Sequence, residues 1–457
     1  MRVLLGAVVF LILLIPSAFS GVPGTNIIFV FIDDMGYGDL TCYGNHHAKT
    51  PEIDRLAKEG IRFTQFYVNA PICSPSRVAV TTGQYPARWK ITSYLARREV
   101  NAKRGLAQFL DLKAPSLART LQQAGYVTAH IGKWHMGGQR DVGEAPLIQE
   151  YGFDISLTNF EGLGDRVLPL MDNDTGGLKK LGLGVGSEKL GRGKITWEKR
   201  YDVTARFVDR ALGVIKQAQT EARPFYINLW PDDVHSPHLA PPSLRGDGSR
   251  SAHYSGVIKE LDRQLGRLFD FVRRDSTLHG NTLIVVASDN GPEHPIGSSG
   301  GLRGSKGMIY EGGIRVPFIV WWPGGMPTSA QGTTDTSTVM AGFDLPSSLL
   351  SVTGQSFPSG TMQDGEDMSR AFRGQEVQRE RPIMWMRPPD WAGRNNDLPD
   401  LAIRDGKWKL LVNADGTNPQ LYDLSSDTGE DQNLAQQRPK MTVRLSEQVL
   451  NWRRALP

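Results

Sequence analysis

The clearest indication of the fold of this 457-residue chain is Asn26-Ile27-Ile28-Phe29-Val30-Phe31-Ile32, which is followed at once by Asp33-Asp34. Its nearly continuous apolar character predicts a strand buried on both faces, as in a parallel sheet covered by helices. Similar apolar runs follow at residues 126–131, 225–230, 282–288 and 316–322. Helical patterns lie between these runs, notably at residues 200–219 and 255–274. This alternation predicts an α/β domain whose large, mostly parallel sheet is sandwiched by helices.

The chain changes character near residue 381, where short apolar runs separated by turn residues replace the long alternation. These runs lie at residues 382–386, 401–404, 408–412 and 421–424. They predict a small antiparallel sheet, and the helical pattern of residues 441–454 predicts a final helix beside it. The sequence thus divides into a main α/β domain over residues 21–380 and a C-terminal α+β subdomain over residues 381–457.

Residues 161–193 interrupt the alternation of strands and helices. They are rich in glycine and lack clear periodicity. We expect a long surface excursion, of the kind that shapes substrate pockets in α/β enzymes, with a mobile linker as the alternative.

Residues 1–20 have the pattern of a secretory signal peptide. Arg2 precedes an apolar run, and small residues stand at Ala18 and Ser20. The run is short for a bilayer span, and an uncleaved anchor is the alternative. We expect an exported protein, periplasmic or secreted, without stable membrane association. The few cysteines and the single sequon at Asn173 are more typical of a bacterial than of a lysosomal protein. A net charge of +4, spread over the chain, gives no reason to expect a nucleic-acid partner.

Polar residues follow each of the first four predicted strands. In chain order they are Asp33 and Asp34, Lys133 and His135, Asp232, Asp233 and His235, and Asp289 and Asn290. Any one such group is more typical of a turn or a helix cap. Four groups on separate parallel strands meet at one edge of the sheet, where open α/β sheets bind ligands.

Two of these groups supply only oxygen donors, namely Asp33, Asp34, Asp289 and Asn290. A ligand set without thiolate or imidazole favours a hard divalent cation such as Ca²⁺ or Mg²⁺ over zinc. Separately, Cys73-Ser74-Pro75-Ser76-Arg77 has the residues of a helix start. A nucleophile there would face the positive end of a helix dipole.

The cysteine count leaves two interpretations. Cys42 and Cys73 are the only cysteines of the chain. They either form a single disulfide, or Cys73 is used for chemistry and Cys42 is a small buried hydrophobe.

Several motifs resemble those of the type I sulfatases of the alkaline phosphatase superfamily. Residues 71–77, read as Pro-Ile-Cys-Ser-Pro-Ser-Arg, match the family's modification signature, with Thr81 where an aliphatic residue is usual. The second signature lies at residues 125–135. Further matches lie at residues 234–237, 288–291, 302–307, 310–313, 421–424 and 433–435. The resemblance covers nearly all of the mature chain and extends to exported bacterial arylsulfatases and N-acetylgalactosamine-6-sulfatase-like enzymes.

This resemblance implies that Cys73 is oxidised to formylglycine by a formylglycine-generating or sulfatase-maturating enzyme. A modified Cys73 cannot bridge Cys42, which is then expected to be a buried free thiol. The resemblance also implies one calcium ion, with magnesium as the alternative. Its expected ligands are Asp33, Asp34, Cys73 in its modified form, Asp289 and Asn290.

The resemblance further implies a role for each catalytic side chain. A hydroxyl of the hydrated aldehyde attacks sulfur, and a covalent sulfate ester forms on residue 73. His135 takes the proton of the second hydroxyl, and Lys133 and Lys306 neutralise sulfate oxygens. Arg77 orients the diol, and His235 donates a proton to the leaving oxygen near Lys306.

We therefore expect hydrolysis of a sulfate ester in a sulfated saccharide. Asp232, Asp233 and His238 are expected near the leaving group, where the two carboxylates would bind sugar hydroxyls, with an ordinary strand-end turn as the alternative. Three other functions remain open. They are an aryl sulfatase of broad specificity, a phosphomonoester or phosphodiester hydrolase of the same superfamily, and a non-catalytic protein that binds sulfated glycans.

Overall fold

The structure, a computed structural model, describes residues 24–172, 177–388 and 398–457. The predicted signal peptide and the sequon at Asn173 therefore lie outside the described residues. Within those ranges the chain forms seventeen strands and ten α-helices, besides short 3-10 helices. No helix in this part of the chain combines the length and the apolar character that crossing a membrane requires.

The secondary-structure elements are numbered in chain order. The first strands are β1 (Asn26–Ile32), β2 (Ile61–Phe63), β3 (Phe66–Tyr67), β4 (Val127–Gly132), β5 (Ile155–Leu157), β6 (Arg166–Asp172), β7 (Leu178–Lys180), β8 (Ile195–Lys199) and β9 (Phe225–Trp230). The remaining strands are β10 (Thr282–Ser288), β11 (Phe318–Trp321), β12 (Thr333–Asp335), β13 (Met340–Ala341), β14 (Ile383–Met386), β15 (Leu401–Asp405), β16 (Trp408–Val412) and β17 (Gln420–Asp423). The helices are α1 (Pro51–Glu59), α2 (Cys73–Thr82), α3 (Arg98–Lys103), α4 (Leu117–Gln123), α5 (Val203–Thr220), α6 (Arg250–Arg274), α7 (Ser276–His279), α8 (Glu311–Ile314), α9 (Asp344–Val352) and α10 (Pro439–Arg454).

One eight-stranded sheet forms the centre of the fold, in the order β12-β2-β11-β10-β1-β9-β4-β5. Alternate residues of β1 enter two different cores, because successive side chains of a strand point to opposite faces. Phe29 and Phe31 pack with residues of α2, α4 and α9, whereas Ile28 and Val30 pack with residues of α1, α5 and α6. The predicted α/β architecture, with helices on both faces of the sheet, is confirmed. The last predicted strand of this domain, β11, is antiparallel to β10.

The glycine-rich segment differs from the predicted excursion. It contains β6 and β7, which form a three-stranded sheet with β8 in the order β7-β6-β8. The first half of β6 is buried, whereas β7 is exposed. These strands were not predictable from the sequence, because β6 contains Pro169 and because β7 lacks alternating apolar residues.

The C-terminal part forms the predicted antiparallel sheet, in the order β14-β15-β16-β17, followed by the predicted helix α10. Its apolar side chains, among them Trp385 and Leu410, belong to the same buried cluster as Phe318 of the large sheet. The core is thus continuous between the two sheets. A domain division at residue 380 remains a prediction.

A buried group of charges also connects the C-terminal sheet to helix α8 of the preceding part of the chain. Lys409 on β16 has its Nζ 2.9 Å from Glu311 Oε1 and 2.9 Å from Glu430 Oε1. The three side chains are fully buried, and the Tyr67 hydroxyl donates a 2.6 Å hydrogen bond to Glu311 Oε2. Burial raises the pKa of Glu430 to about 7, against the opposing effect of Lys409. Lys409 therefore compensates two carboxylates that water cannot reach.

Lys409→Met should lower the free energy of unfolding by about 3–5 kcal/mol, because it leaves two buried carboxylates without their shared cation. Urea denaturation followed by circular dichroism measures the loss. Lys407→Met is the matched control. Lys407 lies two residues away and pairs with Asp423 at 2.7 Å on the surface, so its removal should cost less than about 1 kcal/mol. Equal losses in the two variants would contradict a special role for the buried group.

Candidate active site

The carboxyl ends of four neighbouring parallel strands bring the predicted site residues to one edge of the large sheet. β1 pairs with β10 and β9, and β9 pairs with β4, all in parallel. Asp33 and Asp289 directly follow β1 and β10, whose last residues are register partners. Lys133 directly follows β4. Residues that are distant in sequence therefore form one buried cluster.

Three carboxylates and one amide form the lowest layer of this cluster, the acidic floor, which consists of Asp33, Asp34, Asp289 and Asn290. All four side chains are buried. Asp34 Oδ1 accepts a 2.8 Å hydrogen bond from Asn290 Nδ2, and Asp289 Oδ1 accepts a 3.1 Å hydrogen bond from the Asp34 backbone N–H. Burial, with the adjacent Asp33 carboxylate, raises the pKa of Asp289 to about 7.

Three buried cations compensate the acidic floor. Their closest contacts, each of 2.6 Å, are Arg77–Asp289, Lys133–Asp33 and Lys306–Asp34. Burial by itself raises the pKa of Asp33, but Lys133 and its other cationic neighbours bring that pKa well below its usual value. Three carboxylates against three cations leave the cluster close to neutral. A divalent cation added to it would give the site a net positive charge and make it attractive to an anion.

Arg77 lies beneath the cavity described below. Its Nη1 donates a 3.0 Å hydrogen bond to the Lys133 carbonyl oxygen, and its Nη2 also contacts Asp33 Oδ1 at 3.3 Å. The guanidinium carbon lies 5.6 Å from the centre of the Phe31 ring and 5.4 Å from that of Trp230. Arg77 is therefore committed to the acidic floor, and its predicted role in orienting residue 73 remains a prediction.

Cys73 is the first residue of α2, as the sequence predicts, and all ten residues of this helix are buried. Both cysteines are free, so the alternative Cys42–Cys73 disulfide is not formed, and Cys42 is half-buried, where full burial was expected. Burial raises the pKa of the Cys73 thiol well above its usual value, although Lys133 and Lys306 oppose this shift. Because the thiolate is the reactive form, the unmodified thiol is a weak nucleophile here.

His135 is held in one tautomer by its surroundings. Its Nε2 lies 2.9 Å from the Leu95 carbonyl oxygen, to which it donates, and 3.2 Å from Glu161 Oε2. Its Nδ1 is buried and has no hydrogen-bond partner among the described residues. Burial, with the nearby Lys133, brings the pKa of His135 well below its usual value. The ring is therefore neutral, with a free lone pair on Nδ1.

His235 lies on the other side of the site. Its Nδ1 donates a 2.7 Å hydrogen bond to the Ser236 carbonyl oxygen, and its Nε2 lies 3.8 Å from Asp34 Oδ2. Burial, reinforced by Lys306, lowers the pKa of His235. Glu293 lies beside this group and accepts a 2.9 Å hydrogen bond from the Ser236 hydroxyl.

Two site residues have left-handed backbone conformations without being glycine. The φ angle is 60° at Asp34 and 54° at His135. Such conformations cost energy for residues with a Cβ, and they concentrate at functional sites. The fold therefore holds Asp34 in the acidic floor and His135 in the cavity wall at an energetic cost.

The site opens into a cavity of about 490 Å³. Five predicted side chains line it: Cys73, Lys133, His135, His235 and Lys306. Sequence reasoning missed other lining residues, namely Tyr94, Arg104, Arg140, Phe160, Glu161, Leu183 and Glu293. Glu161 follows the three-residue strand β5, which is too short to be recognised, whereas Glu293 lies three residues beyond Asn290 and carried a usable signal. Leu183 shows that the glycine-rich segment reaches the cavity.

The sugar-binding role expected for Asp232 and Asp233 is wrong. Neither residue lines the cavity. Arg200 Nη1 lies 2.9 Å from Asp233 Oδ1 and 3.4 Å from Asp232 Oδ1, and the Thr204 hydroxyl donates to Asp233 Oδ2 at 2.6 Å. These carboxylates are therefore buried partners of Arg200. His238 does not line the cavity either, although its Nε2 lies 3.7 Å from Oε2 of Glu293, which does.

The donor atoms of the acidic floor fit a hard divalent cation. Carboxylate oxygens of Asp33 and Asp34 and the Cys73 sulfur lie within 4.8 Å of one another. Asn290 Oδ1 is buried and accepts no hydrogen bond from the described residues, which leaves it available as a ligand. Carboxylate and amide oxygens are the ligands that Ca²⁺ prefers and that Mg²⁺ also accepts.

Comparisons with known proteins agree with the motifs and with the fold. Residues 25–355 match the family described as Sulfatase, and residues 304–455 match N-sulphoglucosamine sulphohydrolase, C-terminal. The chain is 31% identical to arylsulfatase A of Bos taurus, over 90% of this chain and 83% of that protein. It is 28% identical to N-acetylgalactosamine-6-O-sulfatase of Bacteroides thetaiotaomicron, over 92% of each chain. The crystal structure of Ps i-CgsB superposes with a TM-score of 0.77 at 26% identity, covering 94% of this chain and 92% of that one. A structure of Ps i-CgsB in complex with k-i-k-neocarrahexaose gives a TM-score of 0.76 with the same identity and coverage.

Adding Ca²⁺ should raise the thermal midpoint of unfolding, because a ligand that binds only the folded protein stabilises it by about 2.7 kcal/mol at one hundred times its Kd. Scanning calorimetry with and without a chelator measures the shift. Asp289→Asn removes a charged donor and should lose most of the response. Asp262→Asn is the control, since this buried carboxylate instead accepts from the N–H groups of Glu52 and Ile53 in α1.

An unchanged midpoint of the wild-type protein in Ca²⁺ would contradict the metal site. A larger response to Mg²⁺ than to Ca²⁺ would reassign the ion.

Proposed function

The chain belongs to the sulfatase family of sulfate-ester hydrolases, and we propose that it removes sulfate from a sulfated saccharide through a formylglycine made from Cys73. The setting of Cys73 carries this proposal. The residue is 1% exposed at the start of α2, and it shares the cavity with Lys133 and Lys306. Its raised thiol pKa makes the thiol a weak nucleophile, whereas a hydrated aldehyde at the same place needs no thiolate.

Two groups absent from the sequence supply part of the chemistry. Formylglycine, formed by a dedicated maturating enzyme, would supply in its hydrated form one hydroxyl that displaces the saccharide from sulfur and a second whose deprotonation releases sulfate. A calcium ion held by Asp33, Asp34, Asp289 and Asn290 would lower the proton affinity of the attacking hydroxyl and withdraw charge from the sulfate group.

Lys133 and Lys306 bind the sulfate group in this proposal. Burial opposes the protonation of both ammonium groups, but pairing with Asp33 and Asp34 raises the pKa of each, so both stay charged at neutral pH. Buried cations held in fixed positions stabilise the charge that develops on sulfuryl oxygens in the transition state.

His135 and His235 move the protons. The free lone pair on His135 Nδ1 accepts the proton whose loss releases sulfate, because Nε2–H is already engaged by Leu95. His235 is neutral in the free site. An anionic ester beside it favours protonation of Nε2, and that proton then passes to the leaving saccharide oxygen.

A phosphate-ester hydrolase with two metals is the nearest alternative. Asp34, His235 and Glu293 do form a group that fits a second metal. However, Lys306 Nζ lies 2.6 Å from Asp34 Oδ2 and 3.9 Å from Glu293 Oε1. An ammonium group therefore already supplies positive charge at this place, which supports a site for one metal ion and a sulfate ester.

A saccharide substrate is supported by the cavity and by the relatives. The lining is rich in hydrogen-bonding and charged side chains, including Arg104, Arg140 and Glu161. One relative is an N-acetylgalactosamine-6-O-sulfatase, and Ps i-CgsB has been solved with k-i-k-neocarrahexaose. Export directed by the first twenty residues would place the enzyme where polysaccharides occur.

Peptide mass spectrometry of the active enzyme should show residue 73 as an aldehyde roughly 18 Da lighter than the thiol, because oxygen replaces sulfur and two hydrogens are lost. The Cys42 peptide of the same digest is the internal control and should keep its thiol mass. Cys73→Ala should eliminate turnover. Full activity in a preparation that carries only the thiol at residue 73 would refute the mechanism.

The best sulfated oligosaccharide should exceed 4-nitrophenyl sulfate in kcat/KM by roughly a hundredfold, because contacts remote from sulfur stabilise the transition state only for the saccharide. A panel of defined sulfated saccharides, scored by free sulfate and product mass, measures this ratio. Faster cleavage of 4-nitrophenyl phosphate than of every sulfate ester would favour the phosphohydrolase. A higher kcat/KM for 4-nitrophenyl sulfate than for every saccharide in the panel would reject the saccharide substrate but leave the sulfatase activity standing.

A further inference from the structure

A second cavity, of about 400 Å³, lies beside the edge strand β5 and outside the site described above. The ends of β5, β6 and β8 and the first half of α5 surround it. Six of its lining residues are charged: Arg166, Lys194, Arg206 and Arg210, with the carboxylates Asp165 and Asp209. The lining is therefore predominantly cationic.

Arg166 is the unusual member of this lining, because it is a fully buried cation with incomplete pairing. Its relative exposure is 0%. Nη2 donates a 2.6 Å hydrogen bond to the Gly191 carbonyl oxygen, but Nε and Nη1 have no hydrogen-bond partner in the described part of the chain. Burial lowers the pKa of Arg166, and Asp165 opposes this only in part. A buried guanidinium is costly unless an anion lies beside it.

The remaining cations of the cavity are exposed. Lys194, Arg206 and Arg210 reach solvent, and none of them forms an ion pair with a described residue. The two carboxylates do not neutralise them. Asp209 pairs instead with Arg267 at 2.5 Å, and Asp165 accepts a 2.8 Å hydrogen bond from the backbone N–H of Lys194. Four cations against two carboxylates, one of which is paired with Arg267, thus leave the lining of the cavity with net positive charge.

The second cavity lies close to the candidate active site. Leu157 of β5 is the register partner of Ile131 in β4, two residues before Lys133. The connection after β5 contributes Glu161 to the catalytic cavity, and Arg166, the first residue of β6, lines the second cavity. These two residues are five positions apart, so their Cα atoms are separated by at most about 18 Å. The distance between the two cavities is therefore within the length of a short oligosaccharide.

We propose that the second cavity is an anion subsite, which holds a sulfate group carried by the same saccharide chain at a short distance from the ester being hydrolysed. This inference rests on the proposed function, because the saccharide substrate supplies the chain. Arg166 would receive the sulfate group at the base of the cavity, and Lys194, Arg206 and Arg210 would attract it at the entrance.

The test uses the full-length protein with the three entrance cations removed together, Lys194→Gln, Arg206→Gln and Arg210→Gln. The probe is dextran sulfate, with unsulfated dextran as the blank, and calorimetry measures the Kd. We expect the Kd for dextran sulfate to rise about tenfold. The matched control removes three exposed cations outside the cavity, Lys216→Gln, Lys259→Gln and Arg274→Gln. An equal loss of affinity in this control would mean that only net charge matters, and would overturn the subsite.

Arg166→Met separates a binding role from a structural role. The proposal expects weaker dextran sulfate binding with a thermal midpoint that is unchanged or higher, since a poorly compensated buried charge is removed. A lower midpoint with unchanged affinity would make Arg166 a structural residue and overturn the assignment. Sodium sulfate distinguishes the source of the anion. If free sulfate ions bound as tightly as the sulfate groups of dextran sulfate, compared per sulfate group, the cavity would be a site for free sulfate. The proposal that it holds a sulfate group carried by a saccharide chain would then be rejected.

Kinetics provide an independent arm. The KM is measured for a sulfated polysaccharide that the wild-type enzyme desulfates and for 4-nitrophenyl sulfate. The ratio of the first KM to the second should rise about tenfold in the variant that lacks the three entrance cations. An unchanged ratio would overturn the subsite. The two failures are separable, because absence of sulfate release by the wild-type enzyme counts against the proposed function, whereas the dextran sulfate measurements test the subsite without turnover.

Discussion

The site is organised around the ion pairs that the buried guanidinium of Arg77 forms with Asp33 and Asp289. Parallel pairing places Ile32 opposite Ser288, so the carboxylates that follow β1 and β10 lie side by side. Two buried like charges repel each other strongly. Arg77 relieves the repulsion with contacts of 2.6 and 3.3 Å. The register of the sheet therefore creates an electrostatic conflict that a residue of α2 resolves.

The same helix delivers the reactive residue. Cys73 and Arg77 are four positions apart in α2, so they lie on one face of the helix, one turn from each other. The spacing in Cys73-Ser74-Pro75-Ser76-Arg77 thus has a geometric reason, because one side chain must reach the acidic floor while the other faces the cavity. The segment of Lys306 is tied to the same place, since the Gly307 N–H donates to the Pro71 carbonyl oxygen at 2.7 Å. Glu311, a few residues later, connects this segment to the C-terminal sheet through Lys409.

The sequence predicts those features whose physical cause is local. Buried strands appear as apolar runs, and polar residues at their ends reveal the edge where Asp33, Lys133 and Asp289 meet. Features with a distant cause were not predictable in this way. Asp232 and Asp233 likewise follow a strand, but both carboxylates form ion pairs with Arg200, which lies more than thirty residues earlier in the chain. Glu161 reaches the cavity from the connection after β5, a strand of only three residues, and the half-buried strand β6 contains a proline, so neither strand leaves a periodic pattern.

Burial of the whole of α2 sets an order of events for the proposed chemistry. Cys73 is 1% exposed, and every residue of its helix is buried. A second protein cannot grip this segment in the finished fold, since access would require α2 to leave the core. Under the proposed mechanism, the maturating enzyme must therefore meet the chain before the helix docks, while residues 71–77 are still extended. The fraction of active enzyme then depends on the rate of modification relative to the rate of folding. A molecule that folds before modification would be stable and correctly folded but permanently inactive.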